Sequence, residues 1–153
     1  MRRVVRRGPD DVSHMTSVAR TMLRRVLSPL VGESLTLPGE VTETHPELLE
    51  ARWRRGGFPL RVGGWCLGQR TVAGITLGRT VFLAPGVRTD SSLLLHELAH
   101  VRQFARDKSF PLRYLIESIR RGYARNRYEV EADQFAQAVV RARLGTPRGN
   151  TPA

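Results

Sequence analysis

The chain has 153 residues, 41% of them hydrophobic, and a formal net charge of +11 at pH 7. Its length suits one domain and its composition a buried core, while no run approaches the roughly 18 apolar residues of a membrane span. Lys108 is the only lysine, so the positive charge is almost all arginine. The arginines are scattered along the chain and form no RNA-binding or helix-turn-helix pattern, which argues against nucleic acid as the main partner.

The N-terminal stretch "MRRVVRRGPDDVSHM" has no apolar run after its arginines, and Cys66 is the only cysteine. A secretory signal needs such a run, and a single cysteine cannot form an internal disulfide. We therefore expect a cytoplasmic protein with no membrane partner. Export by a route without such a signal is left open, as is the oligomeric state.

The first third of the chain contains few strong signals. Residues 1–9 are predicted to form a basic disordered tail, and apolar residues recurring every three or four positions over 10–30 predict a one-faced helix. Residues 31–45 are predicted as a loop with one short strand. The stretch "PELLEARWRR" (46–55) predicts a short helix, opened by a proline and ended by two glycines.

In the rest of the chain, the hydrophobic pattern is first typical of β-strands and then typical of helices. Two β-rich runs, Thr71–Leu77 and Thr80–Ala84, flank Gly78, which favours a type II′ hairpin. The next helix is capped by one of three residues, Thr89, Asp90 or Ser91, and runs to about Ala105. Further helices are predicted from Pro111 to Gly122 and over 127–144, followed by a flexible tail over 145–153.

The helix after the hairpin carries the first chemical signal, "HELAH", at residues 96–100. On a helix, His96 and His100 lie one turn apart on one face and can bind the same metal ion. Glu97 is rotated by about 100° from His96 and suits a base beside metal-held water rather than a ligand. Apolar residues surround this polar stripe, so the helix is expected to be buried, where unpartnered imidazoles are costly.

A catalytic zinc site needs a third protein ligand, and "YEVEAD" (128–133) offers carboxylates. Glu129 and Asp133 share a helix face, whereas Glu131 points elsewhere. One carboxylate of that pair can bind metal while the other accepts the free N–H of a ligand histidine. Glu129 has a second interpretation that needs no metal, since Asn126 and Glu129 also fit a helix-capping pair.

With these motifs, the chain resembles gluzincins, the thermolysin-like clan of zinc metallopeptidases. It is most similar to small bacterial metallopeptidase-like domains that carry H-E-L-x-H-V-x-Q and Y-E-x-E-A-D, matched by "HELAHVRQ" (96–103) and "YEVEAD" over a region of roughly 60–142. The resemblance implies that zinc is bound by His96, His100 and Glu129. It also implies that Glu97 is the general base and later the proton donor, and that Asp133 is the partner of a ligand histidine.

Several other residues are candidates for supporting roles. Tyr123 is chosen as the group that stabilises the oxyanion, with Tyr114, Tyr128 and His45 as alternatives. The strand Thr80–Ala84 is expected to pair with an extended peptide or protein substrate. The cluster Arg120, Arg121, Arg125 and Arg127 is expected near the site entrance. Cys66 is interpreted as a small buried residue rather than a fourth zinc ligand, and Trp53 and Trp65 as core anchors.

We therefore predict an α+β zincin-like domain over 10–144. Its hairpin packs on the helix 91–105, the helix 127–144 crosses that helix to deliver Glu129, and the N-terminal helix covers the far side. The predicted function is that of a zinc metalloendopeptidase. The alternative is a zinc-stabilised, non-catalytic binding module whose arginine-rich surface takes an acidic partner or nucleic acid.

Overall fold

The computed structural model describes residues 30–66 and 72–144, without the side chains of Trp65, Cys66 and Leu144. The predicted tails at 1–9 and 145–153 lie outside these residues, as does the predicted N-terminal helix up to residue 29. The described part has an α+β architecture, as the sequence predicts.

The described elements follow one another with short connections. The helices are α1 (Gly39–Thr44), α2 (Phe58–Cys66), α3 (Ser91–Arg106), α4 (Phe110–Arg121) and α5 (Arg127–Leu144), with 3-10 turns at Pro46–Glu50 and Tyr123–Arg125. The strands are β1 (Glu33–Ser34), β2 (Arg52–Arg55), β3 (Gly74–Leu77) and β4 (Thr80–Leu83). The predicted helices of the second half are thus confirmed to within one or two residues. None of the described helices is long and apolar enough to cross a bilayer.

The four strands form one mixed sheet in the order β1-β2-β4-β3. β3 and β4 form the predicted antiparallel hairpin, with Ile75 opposite Phe82. Gly78 has φ +61°, and Arg79 has no positive φ, as the predicted turn requires. On its other side β4 pairs in parallel with β2, where Trp53 lies opposite Val81.

Three expectations about the sheet and its approach are wrong. The 46–55 stretch is not one helix, because a 3-10 turn at Pro46–Glu50 leads directly into β2. Arginine favours helix, but this preference is small, and pairing with β4 together with burial of Trp53 holds Arg52–Arg55 extended. The 31–45 stretch contains the short helix α1 besides the predicted strand β1.

The third wrong expectation concerns substrate pairing. β4 cannot accept an extended substrate, because both of its edges are already paired. The open edge next to the hairpin belongs to β3 instead, since β3 is the last strand of the described sheet.

The core lies between the sheet and helices α3 and α5. Its largest fully buried apolar side chains are Leu48, Val81, Leu83, Leu94, Leu95 and Leu98. Trp53 joins them, and its indole Nε1–H donates to the Leu48 carbonyl at 2.8 Å, so its prediction as a core anchor is confirmed. The hairpin and α5 both contact α3, which positions this helix at the centre of the described region.

Candidate functional site

Helix α3 is anchored at its start and buried along most of its length. The Asp90 carboxylate accepts the Leu93 N–H at 2.9 Å and so caps the helix, as one of the three predicted caps. Glu97 and His100 are only 5% and 7% exposed, which confirms the predicted burial of this helix. Two ionisable side chains in such a place need partners, because an unpaired buried polar group is costly.

The partners come from α5, which crosses α3. The Nε2 atoms of His96 and His100 lie 3.2 Å apart. Glu129 extends its two carboxylate oxygens to them, Oε2 at 3.4 Å from His96 Nε2 and Oε1 at 3.2 Å from His100 Nε2. These three residues form a cluster whose ligand atoms all lie within 4.8 Å of one another and that could hold a metal ion.

Neighbouring acceptors fix the orientation of both imidazoles. His96 Nδ1 lies 2.8 Å from an Asp133 carboxylate oxygen, which can only accept, so Nδ1 carries the proton. His100 Nδ1 lies 2.8 Å from Gln103 Oε1. The Gln103 amide cannot be reversed, because its Nε2 donates to the Tyr128 carbonyl and to Glu131. His100 Nδ1 is therefore also the donor.

This arrangement fits a divalent metal ion. With both Nδ1 atoms protonated, the two Nε2 lone pairs and two carboxylate oxygens point into the same small volume. Four acceptors at 3.2–3.4 Å repel one another unless a cation lies between them. Two imidazoles and one carboxylate are also the donor set typical of one class of catalytic zinc site.

A proton can take the place of that cation. Burial opposes charge on His96, but the hydrogen bond and charge of Glu129 and the charge of Glu97 outweigh it and raise the pKa of His96 to about 9. Burial likewise opposes ionisation of Glu129, yet its bonds to the two imidazoles hold the pKa of its carboxyl well below its usual range. The cluster therefore favours a cation between an anionic Glu129 and the rings.

Glu97 is held on the sheet side of the same cluster. Thr76 on β3 donates its hydroxyl to Glu97 Oε2 at 2.7 Å. Gly74 gives the carboxylate its space, since a Cβ there would lie 2.8 Å from Glu97 Cδ and closer still to Oε1. Burial raises the pKa of Glu97 despite the opposing effects of His100 and Thr76. The side chain is thus a rigid, basic carboxylate next to the rings.

Two of the four weighed oxyanion candidates reach the cluster. Tyr114 on α4 donates to Glu129 Oε1 at 2.7 Å, and Tyr123 also hydrogen-bonds to Glu129. Burial and the nearby carboxylates raise the pKa of both phenols, so both stay protonated donors. Tyr128 packs on Phe110 instead, and His45 is buried next to Glu47, outside the cleft lining.

The cluster opens into a cleft with a volume of about 770 Å³. Its base is formed by the three clustered residues and Glu97. One wall consists of residues 72–77 with Val62 and Gly63, and the other is made by α4 and its flanks, chiefly Phe110, Pro111, Tyr114, Leu115 and Tyr123. The walls are mostly apolar, as in many ligand sites with few polar groups.

The other predicted residues lie elsewhere. None of the arginines at 120, 121, 125 and 127 is among the residues that line the cleft, so their expected place near its entrance stays a prediction. Glu131 points away from the cluster and pairs with Arg106, as expected. Cys66 ends α2, and its side chain is outside the described part of the chain.

Sequence reasoning missed three supporting residues. Gln103 stands three positions after His100, on the same helix face, and this spacing was available as a signal. Thr76 and Gly74 lie on β3, and nothing in their local sequence connects them to Glu97. Only the packing of the hairpin against α3 brings them together.

Comparison with known proteins gives one partial match. A family model described as the eCIS core domain, a family of small metallopeptidase-like domains, matches residues 68–108. This segment contains the hairpin and "HELAHVRQ" but ends before α5. No curated protein and no solved structure matches the chain.

Proposed function

We propose that this chain is a zinc-dependent metallopeptidase. The observation that carries the proposal is the convergence of two imidazole nitrogens and the Glu129 carboxylate from two crossing helices, with Glu97 beside them in an open cleft. The match to the eCIS core domain supports the same class at a coarse level.

In this proposal His96, His100 and Glu129 hold the zinc ion. Asp133 and Gln103 keep the two Nε2 lone pairs available by accepting the Nδ1 protons. Bound zinc supplies Lewis acidity, which polarises a carbonyl group and lowers the pKa of water. The chain's own side chains supply the remaining steps.

Glu97 is proposed as the base and then the acid. Its raised pKa suits a group that accepts a proton from the attacking water and then donates it to the amine nitrogen as the C–N bond breaks. Thr76 and Gly74 keep the carboxylate in place during both transfers. In the overall reaction the amide consumes one water molecule and yields a carboxylic acid and an amine.

Tyr123 is proposed to stabilise the oxyanion. Both tyrosines bond to Glu129, but Tyr123 is 40% exposed and lies in the short turn at the cleft, so its hydroxyl can turn towards a bound carbonyl. Tyr114 sits in the middle of α4 and is proposed to hold Glu129 instead. Tyr123→Phe should therefore lower kcat with little change in zinc affinity, whereas Tyr114→Phe should lower zinc affinity.

The substrate is proposed to be a peptide or protein segment in extended form. The open edge of β3 runs along the cleft wall and offers backbone groups to such a segment. The apolar walls would accept apolar side chains on either side of the cleaved bond.

Glu97→Gln tests the proposal. We expect zinc to remain bound, measured by elemental analysis, while cleavage of casein or a peptide library falls by about 10²–10⁴-fold, the usual contribution of a general base. Glu50→Gln is the matched control, because Glu50 pairs with Arg102 on the outer side of α3 and does not reach the cleft. Chelation should abolish cleavage by the unsubstituted protein, and added zinc should restore it.

Full activity of Glu97→Gln would remove Glu97 from the mechanism. Bound zinc with no cleavage of any substrate by the unsubstituted protein would instead favour the non-catalytic binding module. The burial of Glu97 and its dedicated contacts with β3 argue for catalysis, because a binding module needs no base there.

A further inference from the structure

The outer face of α4 is apolar and exposed to solvent. Leu112 and Ile119 are 61% and 75% exposed, and Leu115 and Ile116 are also exposed. On a helical projection these four side chains fall within an arc of about 100°. We call them the α4 ridge. A contiguous exposed apolar stripe of this kind indicates an interaction surface, whereas single exposed apolar side chains are ordinary.

The opposite face of α4 explains why the ridge points outwards. Tyr114 donates to Glu129, and Ser118 accepts a hydrogen bond from Asn126 at 2.8 Å. Phe110 is the only buried residue of the helix. Polar contacts therefore fix the inner face of α4 on the site, and the apolar side chains are left on the outside.

The charges around the ridge are almost all positive. Residues 110–127 contain five arginines and a single acidic residue, Glu117. The Glu117 side chain is only 14% exposed and pairs with Arg121. Arg113 and Arg120 project to one side of the ridge, where Arg113 pairs with Asp107 at 3.3 Å, and Arg125 and Arg127 follow the C-terminal end of the ridge. An apolar stripe flanked by arginines is typical of helices that lie in a membrane interface.

We propose that the α4 ridge docks on the surface of an anionic lipid bilayer. The apolar side chains enter the boundary between head groups and acyl chains, while the flanking arginines pair with lipid phosphates and carboxylates. The expectation of no membrane partner rested on the lack of a spanning segment, and surface docking needs none.

Charge and shape select this occupant among the others. The chain's own residues 1–29 contain seven arginines against two aspartates, and a second copy presents the same arginines, so both carry the same sign of charge as the flanks of the ridge and complement them less well than an anionic surface does. Leu112, Ile116 and Ile119 do not line the cleft of the candidate site. They are exposed on one face of a helix, as in helices that lie on the planar surface of a bilayer.

Docking would also orient the proposed active site. Leu115 belongs to the ridge and to the wall of the cleft. A bilayer bound to the ridge therefore lies next to the cleft mouth. The docking itself requires neither zinc nor Glu97, so it can be tested independently of peptidase activity.

The test is cosedimentation of the full chain with vesicles of phosphatidylcholine alone or with 30% phosphatidylserine. We expect binding only to the anionic vesicles, weakening as salt screens the charges. Ile116→Ser/Ile119→Ser should reduce partitioning more than about tenfold, and Arg120→Ala/Arg125→Ala about tenfold or more. In Ile119→Trp, an emission blue shift on anionic vesicles would report insertion of the ridge.

Matched controls separate the ridge from general stickiness. Leu49→Ser removes an apolar side chain that is 71% exposed on another element, and Arg52→Ala/Arg141→Ala removes the same charge elsewhere. Both should bind anionic vesicles like the unsubstituted chain. Equal losses in the ridge and control variants would overturn the proposal, as would no binding to anionic vesicles. Binding to poly-glutamate but not to vesicles would overturn it in favour of an acidic protein.

Discussion

Helices α3 and α4 follow each other in the chain and place their side chains in opposite ways. α3 buries charged and polar groups, Glu97, His100 and Gln103, inside the core. α4 leaves leucine and isoleucine side chains in solvent and turns Tyr114 and Ser118 inwards. Buried polar groups and exposed apolar patches are the informative exceptions to ordinary burial, so both helices are best understood through function.

The difference follows from their neighbours. α3 lies between the sheet and α5 and therefore has no solvent face along most of its length. α4 contacts α3 and closes one side of the cleft, and the leucine and isoleucine side chains of its outer face are exposed in the described part of the chain. A helix in the core can keep buried charges only where partner groups lie beside them. A helix at the edge of the cleft, such as α4, can present an apolar surface to solvent.

The substitution with the greatest expected consequence removes Glu129, the α5 residue that meets the imidazoles of α3. Glu129→Ala should weaken zinc binding by more than about 100-fold, since loss of an outer partner alone costs about 10–100-fold. Glu131→Ala is the matched substitution two residues away on α5. It removes a contact to Gln103 and an ion pair with Arg106, neither of which reaches the metal cluster, and should cost about tenfold or less. Competition with a chromogenic chelator measures both, and equal losses would contradict Glu129 as the ligand.

A pair of truncations contrasts the two helices directly. Leu98→Ala empties a position on α3 that has no solvent exposure, and should reduce the free energy of unfolding by about 2–5 kcal/mol. Ile119→Ala on α4 should change it by no more than about 0.5 kcal/mol. Urea denaturation with zinc present in both samples gives the two values. A large loss in Ile119→Ala would mean that the ridge is packed within the chain rather than free.

Gly74→Ala tests whether the close packing of β3 against α3 sets the position of Glu97. The added methyl group would collide with the Glu97 carboxylate, and the strain should cost about 1–3 kcal/mol of stability and lower peptide cleavage. Zinc should stay bound, because the ligands are untouched. Gly39→Ala is the control, since a Cβ there meets nothing within 4 Å. If the Gly74 variant matches the control in cleavage, the position of Glu97 is not set by β3.

A further expected effect is a pH dependence of the stability of the zinc-free protein. The folded pKa of His96 is raised from 6.5 to about 9, so its stabilising pairing with Glu129 is complete below pH 6.5 and is lost as pH rises through 9. One proton changes stability by at most about 1.4 kcal/mol per pH unit. Urea midpoints of chelated protein should therefore fall between pH 6.5 and 9.

Glu129→Gln is the control for this pH dependence. A neutral amide cannot raise the pKa of His96 in the same way, so the decline of stability with pH should flatten in the variant. A stability that rises over the same window in the unsubstituted protein, or an unchanged slope in Glu129→Gln, would contradict the pairing.

The elements that the sequence predicted well are long and strongly patterned. The helices α3 to α5 have several turns, the hairpin strands are β-rich, and each of these elements has a capping residue, glycine or proline at an end, so local preference and burial agree. The errors fall on α1 and Arg52–Arg55, which are four to six residues long. Such short stretches carry no period, and their conformation depends on partners distant in the chain.

For the site, the linear motifs already specify the chemical groups. The i, i+4 geometry of a helix places His96 near His100 and Glu129 near Asp133 whatever the rest of the fold does. The same geometry puts Gln103 within reach of His100. These relations are local, which is why a linear motif can contain them.

How those local pairs meet, and what surrounds them, depends on the packing of elements that are distant in the chain. The crossing of α3 and α5 brings Glu129 to within 3.2–3.4 Å of both rings, and the packing of β3 supplies Thr76 and Gly74 for Glu97. Because β2 pairs in parallel with β4, the open edge next to the hairpin belongs to β3 and not to β4. The apolar stripe of α4 was visible in the sequence, but its outward direction was not, because a periodic pattern identifies a face without saying what that face meets.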